Sequence, residues 1–237
     1  MHASNYIYHH GEQPLHGYLT YDDTVNTPRP AVMVVHDWTG RNEFACQKAD
    51  LMASMGYIGF AVDMYGAGRL GETNEEKQAL MQPLANDRRL LRARMQAALD
   101  ELVMMSEVDN RRIAVIGFCF GGMCALDLAR TGADIAGVVS FHGLLQKPDY
   151  LMTHSIRAKI LCYSGYDDPM VSPEQMDHFC QEMTKAEADW QMHLFGQVKH
   201  AFTNPKAHDL DLGLMYDAVA TCRALQGTTH FLEEIFA

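Results

Sequence analysis

The sequence predicts an α/β protein built on a mostly parallel central sheet, with helices on both faces and an N-terminal antiparallel hairpin. Three observations carry this. Short apolar, β-branched runs recur along the chain, segments of helical periodicity separate them, and the first two runs face each other across a turn-rich stretch. Parallel strands buried on both faces read as continuous apolar runs, and alternation with helices is the signature of a doubly wound sheet.

The elements follow in order. Segments 5–8 (NYIY) and 15–20 (LHGYLT) flank HHGEQP and predict the hairpin. Strands are expected at 31–36 (AVMVVH), 58–63 (IGFAVD), 113–116 (IAVI), 136–141 (AGVVSF), 158–163 (AKILCY) and 190–195 (WQMHLF). Helices are expected at 42–55, 74–82, 87–105, 121–130, 173–187 and 209–225. In 87–105, Leu91, Met95, Ala98, Leu102 and Met105 recur at helical spacing and form one apolar stripe. Pro83 is expected to separate this helix from the one before it, and Ser172 before Pro173 is a cap-and-start pair. No repeat, low-complexity tract or linker interrupts residues 1–237, so one domain is expected.

Composition narrows the function. The 19 basic and 30 acidic residues give a net charge of −11, which argues against nucleic-acid and anionic-membrane partners. No run is apolar and long enough to span a bilayer, and the first residues lack the basic and apolar regions of a signal peptide. A cytoplasmic protein is the expectation; the sequence carries no signal of oligomeric state. Cys46, Cys119, Cys124, Cys162, Cys180 and Cys222 form no C-x-x-C and are expected to be free thiols. The sixteen methionines read as core filler.

The chemistry gathers at GFCFGG, residues 117–122, between a strand and a helix. A turn tight enough to present Cys119 at the top of a sheet needs glycines around it, here Gly117, Gly121 and Gly122. A side chain there faces a helix N-terminus, which favours a thiolate. Neither phosphate-loop spacing is present. Taken alone, the motif also fits a structural glycine turn around a buried cysteine. A nucleophile at such a turn should be followed by an acid and then a histidine. Asp168, in SGYDDPMVSP, and His200, in GQVKHAFTNP, stand in that order just beyond two strands.

With VVHDWTG at 34–40, AVDMYG at 61–66, GFCFGG at 117–122, GYDDPMV at 165–171 and KHAF at 199–202, the chain resembles the dienelactone hydrolase family of the α/β-hydrolase fold along nearly its whole length. The resemblance implies a small ester or lactone as substrate and a Cys-His-Asp triad. Cys119 would be the nucleophile, His200 the base and later the acid, and Asp168 the group orienting the imidazole. The family places the acid three residues before a valine, here Val171, which selects Asp168 over Asp167. It implies an oxyanion hole of two backbone N–H groups, from Phe120 and Trp38. His142 is a rival base read as pocket lining or plain structure.

Two departures bear on substrate. Asp37 stands where the family carries a thiol-modulating glutamate, and its alternative is a loop aspartate capping the helix at 42. Asn204 stands four residues after His200, where dienelactone-specific members carry a carboxylate-binding arginine; Lys77 or Arg69 are substitutes for that charge, or simply solvated. A substrate other than the namesake dienelactone follows, and a neutral one fits. No metal or organic cofactor is expected. The histidines at 2, 9, 10 and 16 lie in a hairpin without a matching ligand pattern. The competing class is a thiol redox sensor or a non-catalytic binding module on the same fold, with Cys124 as a resolving thiol.

Overall fold

The computed structural model describes residues 1–148, 150 and 156–237. It is an α/β fold with a mostly parallel sheet, helices and N-terminal antiparallel strands, and it divides into two compact units, Met1–Ile116 and Gly117–Ala237.

In the first unit, β1 (His2–His10) and β2 (Gln13–Tyr21) pair antiparallel from His2↔Tyr21 to His10↔Gln13. This is the expected hairpin with longer strands: the turn closes within two residues, Gly11 and Glu12, rather than across HHGEQP, and the pairing runs on to His2 and Tyr21 at the open end. β3 (Arg29–Val35) and β4 (Ile58–Val62) are parallel and wholly buried, and β2 joins β4 antiparallel. β5 (Val108–Phe118) starts five residues before the expected strand. The order is β1-β2-β4-β3-β5. Helix α1 (Glu43–Ser54) is capped by Asn42, whose side chain accepts the Ala45 N–H. Asp37 therefore does not cap it; its Oδ1 accepts the Thr39 N–H at 2.8 Å within its own loop.

Pro83 does not separate two helices. It lies inside α2 (Asn74–Asn86), which opens with a Thr73–Glu76 capping box. The break falls at Asp87, whose side chain accepts the N–H groups of Arg89 and Leu90 and so starts α3 (Arg88–Met104). A proline near a helix's end loses only one bond of the ladder, whereas a new cap redirects the chain. Leu91, Met95, Ala98 and Leu102 form the buried stripe of α3.

In the second unit, β6 (Gly137–Phe141), β7 (Lys159–Gly165) and β8 (Trp190–Phe195) run parallel in that order, with α4 (Phe120–Arg130) and α5 (Pro173–Lys185) between strands in the chain. Ser172 and Gln175 make a capping box, with Pro173 in the first turn. β8 is not buried on both faces: it ends the sheet and alternates half-buried with exposed residues, Leu194 among the latter. The helix expected at 209–225 begins only at Ala218. Residues 208–215 instead form a small hairpin, β9 (His208–Asp209) with β10 (Leu214–Met215), and α6 runs from Ala218 to Phe236. The methionines are not uniformly core: Met33, Met64 and Met95 are fully buried, while Met1, Met104 and Met170 are exposed. No described helix is long and apolar enough to cross a membrane.

Candidate active site

The second unit brings together the three residues that the chain order singles out. Cys119 sits between β5 and α4 with φ +54° and ψ −114°, a conformation L residues seldom adopt, and its N–H donates to Phe141 O at 3.0 Å. The turn is this tight because Gly117 has no side chain: a Cβ there would lie 2.1 Å from Gly121 O. Phe120 is the first residue of α4, so its N–H belongs to the set that points out of a helix N-terminus. The half-buried Cys119 thiol thus stands beside the positive end of a helix.

Asp168 follows β7 and His200 follows β8. Their loops meet because β7 ends in Gly165, where a Cβ would fall 2.1 Å from Val198 O. His200 Nδ1 and Asp168 Oδ2 are 2.7 Å apart, both side chains buried, and Asp168 Oδ1 accepts the Met170 N–H at 2.8 Å. Asp167 is exposed and takes no part in this pair; its N–H donates to Val198 O. The β9–β10 hairpin grips the histidine from the other side: His200 N–H donates to Gly213 O at 3.1 Å and Met215 N–H to His200 O at 3.0 Å.

With Nδ1–H given to Asp168, Nε2 is left as the nitrogen that can gain or lose a proton. That atom is buried and makes no hydrogen bond of good geometry among the described residues, yet Cys119 is near enough to govern its proton affinity. Burial pulls the imidazole's pKa down, but the charge of the nearby sulfur and the bond to Asp168 outweigh it and push it up to about 10. The surroundings therefore favour the protonated form of His200.

His142 lies just beyond β6, buried, with its ring edge-on to His200 at 5.1 Å between centroids. Its Nε2 is 2.8 Å from Thr203 Oγ1. It packs against His200 and away from solvent. Asn204 caps a turn, its side-chain oxygen accepting the Lys206 N–H at 2.9 Å. Sequence reasoning missed Thr203 and the β9–β10 hairpin. Thr203 stands three residues past His200 with no motif of its own, and the hairpin's strands are two residues each.

Asp37 and Trp38 belong to the first unit. The Trp38 carbonyl accepts the Tyr65 hydroxyl at 2.9 Å, and Lys77 Nζ lies 5.4 Å from the indole centroid. Lys77 is thus placed on an aromatic face rather than solvated alone. Arg69 is turned onto the carbonyls of Tyr65 and Gly66. No group of three or more potential metal ligands occurs among the described residues.

This elbow, pair and chain order coincide with a family match. The dienelactone hydrolase family matches residues 15–236. The chain belongs to that family. Membership places it among hydrolases of carboxylic esters and lactones, on the α/β-hydrolase fold. Among solved structures it resembles a dienelactone hydrolase-like promiscuous phosphotriesterase, P91, from metagenomic libraries: 34% identical, covering 100% of this chain and 99% of that one, TM-score 0.95. An Aquifex aeolicus protein provisionally named carboxymethylenebutenolidase is 25% identical over 217 residues, 88% of this chain and 91% of its own. A Bradyrhizobium protein, provisionally named 2-oxo-3-(5-oxofuran-2-ylidene)propanoate lactonase, is 28% identical over 183 residues, 73% of each chain.

Proposed function

We propose that this family member hydrolyses a small ester or lactone through an acyl-thioester on Cys119, with residues 1–237 acting as one catalytic domain. The observation that carries the reading is the buried Asp168–His200 pair at 2.7 Å, whose free nitrogen answers to the charge of Cys119. The Cys119 thiolate attacks the carbonyl carbon, and the Phe120 N–H supports the oxyanion. As the tetrahedral intermediate collapses, the C–O bond to the leaving group breaks and His200 delivers its proton to that oxygen. Neutral His200 then takes a proton from water, whose oxygen attacks the thioester carbonyl. The C–S bond breaks, the acid leaves and the thiolate faces an imidazolium again. Asp168 keeps the imidazole in one tautomer throughout. The cycle calls for no metal or organic cofactor.

A thiolate suits activated acyl groups, such as enol esters, lactones and thioesters. Asn204 has its oxygen accepting the Lys206 N–H and offers a carboxylate only neutral amide N–H donors, without charge, so a neutral substrate fits better than a carboxylate-bearing one. A second activity, toward phosphotriesters, is proposed on the full-length likeness to P91, whose name states that activity.

The test is intact mass spectrometry after brief mixing with p-nitrophenyl acetate or a dienelactone, for wild type and Cys119→Ala. A transient adduct on Cys119, lost in the variant together with product release, is the expected result. No adduct and equal background rates in both proteins would overturn the nucleophile assignment and leave the thiol-sensor reading in its place.

A further inference from the structure

His142 has more structure around it than the reaction above uses. Its backbone sits at φ +41°, unusual for a residue with a side chain, and its N–H donates to Tyr163 O at 2.7 Å. The ring lies edge-on to His200 at 5.1 Å and to Phe202 at 5.2 Å, with Phe118 at 6.3 Å on another side. Nε2 meets Thr203 Oγ1 at 2.8 Å, while Nδ1 is buried with no partner among the described residues. Leaving a ring nitrogen buried and unpaired is unfavourable. A phenylalanine would fill much the same space without that cost. The histidine therefore needs a reason, and the two candidates are its bond to Thr203 and its contact with His200.

Both lead to one place. Thr203 is itself buried and lies on the loop that carries His200. Phe202 O, between them in that loop, accepts from Asp217 N–H and Thr221 Oγ1, so the loop is anchored on its far side to the start of α6. We propose that His142 is a positioning residue: its ring against His200 and its bond to Thr203 fix the imidazole rotation that aims Nε2 at Cys119. This rests on the reading of Cys119 and His200 given above.

The charge state is consistent with such a role. Burial and the neighbouring charge of His200 hold His142 well below its ordinary pKa, so it stays neutral while His200 carries the proton. The titratable groups bearing on it are His200 directly, and Asp168 and Cys119 through His200. Phe118, Phe202 and Thr203 bring no charge.

The test compares His142→Phe, Thr203→Val, the double variant and Thr203→Ser with wild type, using p-nitrophenyl acetate. It reads kcat, KM, the pH profile, the Cys119 adduct and thermal unfolding. Each single variant that breaks the tie is expected to lose roughly tenfold in kcat with KM nearly unchanged, because the imidazole is misaimed rather than substrate lost. The alkaline limb should move to lower pH as His200 loosens from Asp168 and Cys119. The double variant should be no worse than the poorer single, since both remove one tie. Thr203→Ser, which keeps the hydroxyl, should retain wild-type kcat, and its contrast with Thr203→Val decides the matter if His142→Phe does not fold. An unmoved kcat and pH limb in folded Thr203→Val, or fully additive losses, would overturn the proposal alone. A wild-type protein that forms no Cys119 adduct would overturn the reading of the site, and this proposal with it.

Discussion

His200 is buried, yet its proton is held more tightly than in water. The ordinary imidazole value is 6.5, and here Cys119 and Asp168 raise it to about 10 against the pull of burial. A folded value above the unfolded one means that the pair's stabilisation is complete below pH 6.5 and is lost as pH rises toward about 10. Thermal unfolding of wild type should therefore show a component declining across that window. In Asp168→Asn, which removes the carboxylate that raises this pKa, the component should shrink. The same substitution should lower kcat on p-nitrophenyl acetate by roughly 10³–10⁴-fold, the scale seen when an orienting carboxylate becomes an amide and the tautomer is wrong. Steady-state kinetics check it; a loss under tenfold would mean that Asp168 does not orient the base. These residues were legible as a group because each stands just past a strand, in the chain order cysteine, aspartate, histidine. Thr203 was not legible, since its role exists only in its contact with His142 across the fold.

At the scale of elements, two buried charge networks hold pieces together that apolar patterning does not join. In the second unit, Arg130 at the end of α4 makes two bonds to Glu182 of α5, at 3.0 and 2.8 Å, and others to Asp127 and Leu145 O. Removing one partner of such a network leaves buried charge unpaired, so Arg130→Met should cost about 3–5 kcal/mol. Urea unfolding measures it, and a loss below 1 kcal/mol would show that the network is dispensable. In the first unit, Asp63 just past β4 accepts N–H groups from His16, Tyr65, Gly66 and Gly68. Burial opposes its charge, but these bonds prevail and hold the carboxyl below its ordinary 3.8. Its stabilisation is present above that value and is lost as pH falls through the lower folded one. Asp63→Ala should therefore flatten the acid-side loss of stability below pH 4 while lowering stability at neutral pH. Neither network could be read from the sequence, because Arg130–Glu182 and His16–Asp63 are contacts between distant segments. The elements misread share a cause. Residues 208–215 are ordered by bonds to the His200 backbone, and Asp87, not Pro83, redirects the chain, so local periodicity and proline placement were the wrong guides there.

At the scale of the molecule, charge sets which esters reach the site. A net charge of −11 repels anions at long range, an effect that salt screens within about 10 Å at 0.1 M. In the second unit, Asn204 contributes no positive charge to offset it; in the first, Arg69 is turned onto the backbone carbonyls of Tyr65 and Gly66. Lys77, over the Trp38 ring, is the cation whose side chain is held on the same loop as the expected second oxyanion donor. Two ionic-strength dependences are then possible for an ester carrying a carboxylate. If global repulsion dominates, its kcat/KM rises with added salt while that of a neutral ester stays flat. If Lys77 recognises the carboxylate, kcat/KM falls with salt and Lys77→Met abolishes the fall. The uncharged amide at 204 and the acidic surface both favour the first. The expected outcome is a rise for a succinate monoester, no change for p-nitrophenyl acetate, and no effect of Lys77→Met on either slope. Stopped-flow rates from low to physiological salt measure it, and a falling slope for the monoester would make the substrate an anion.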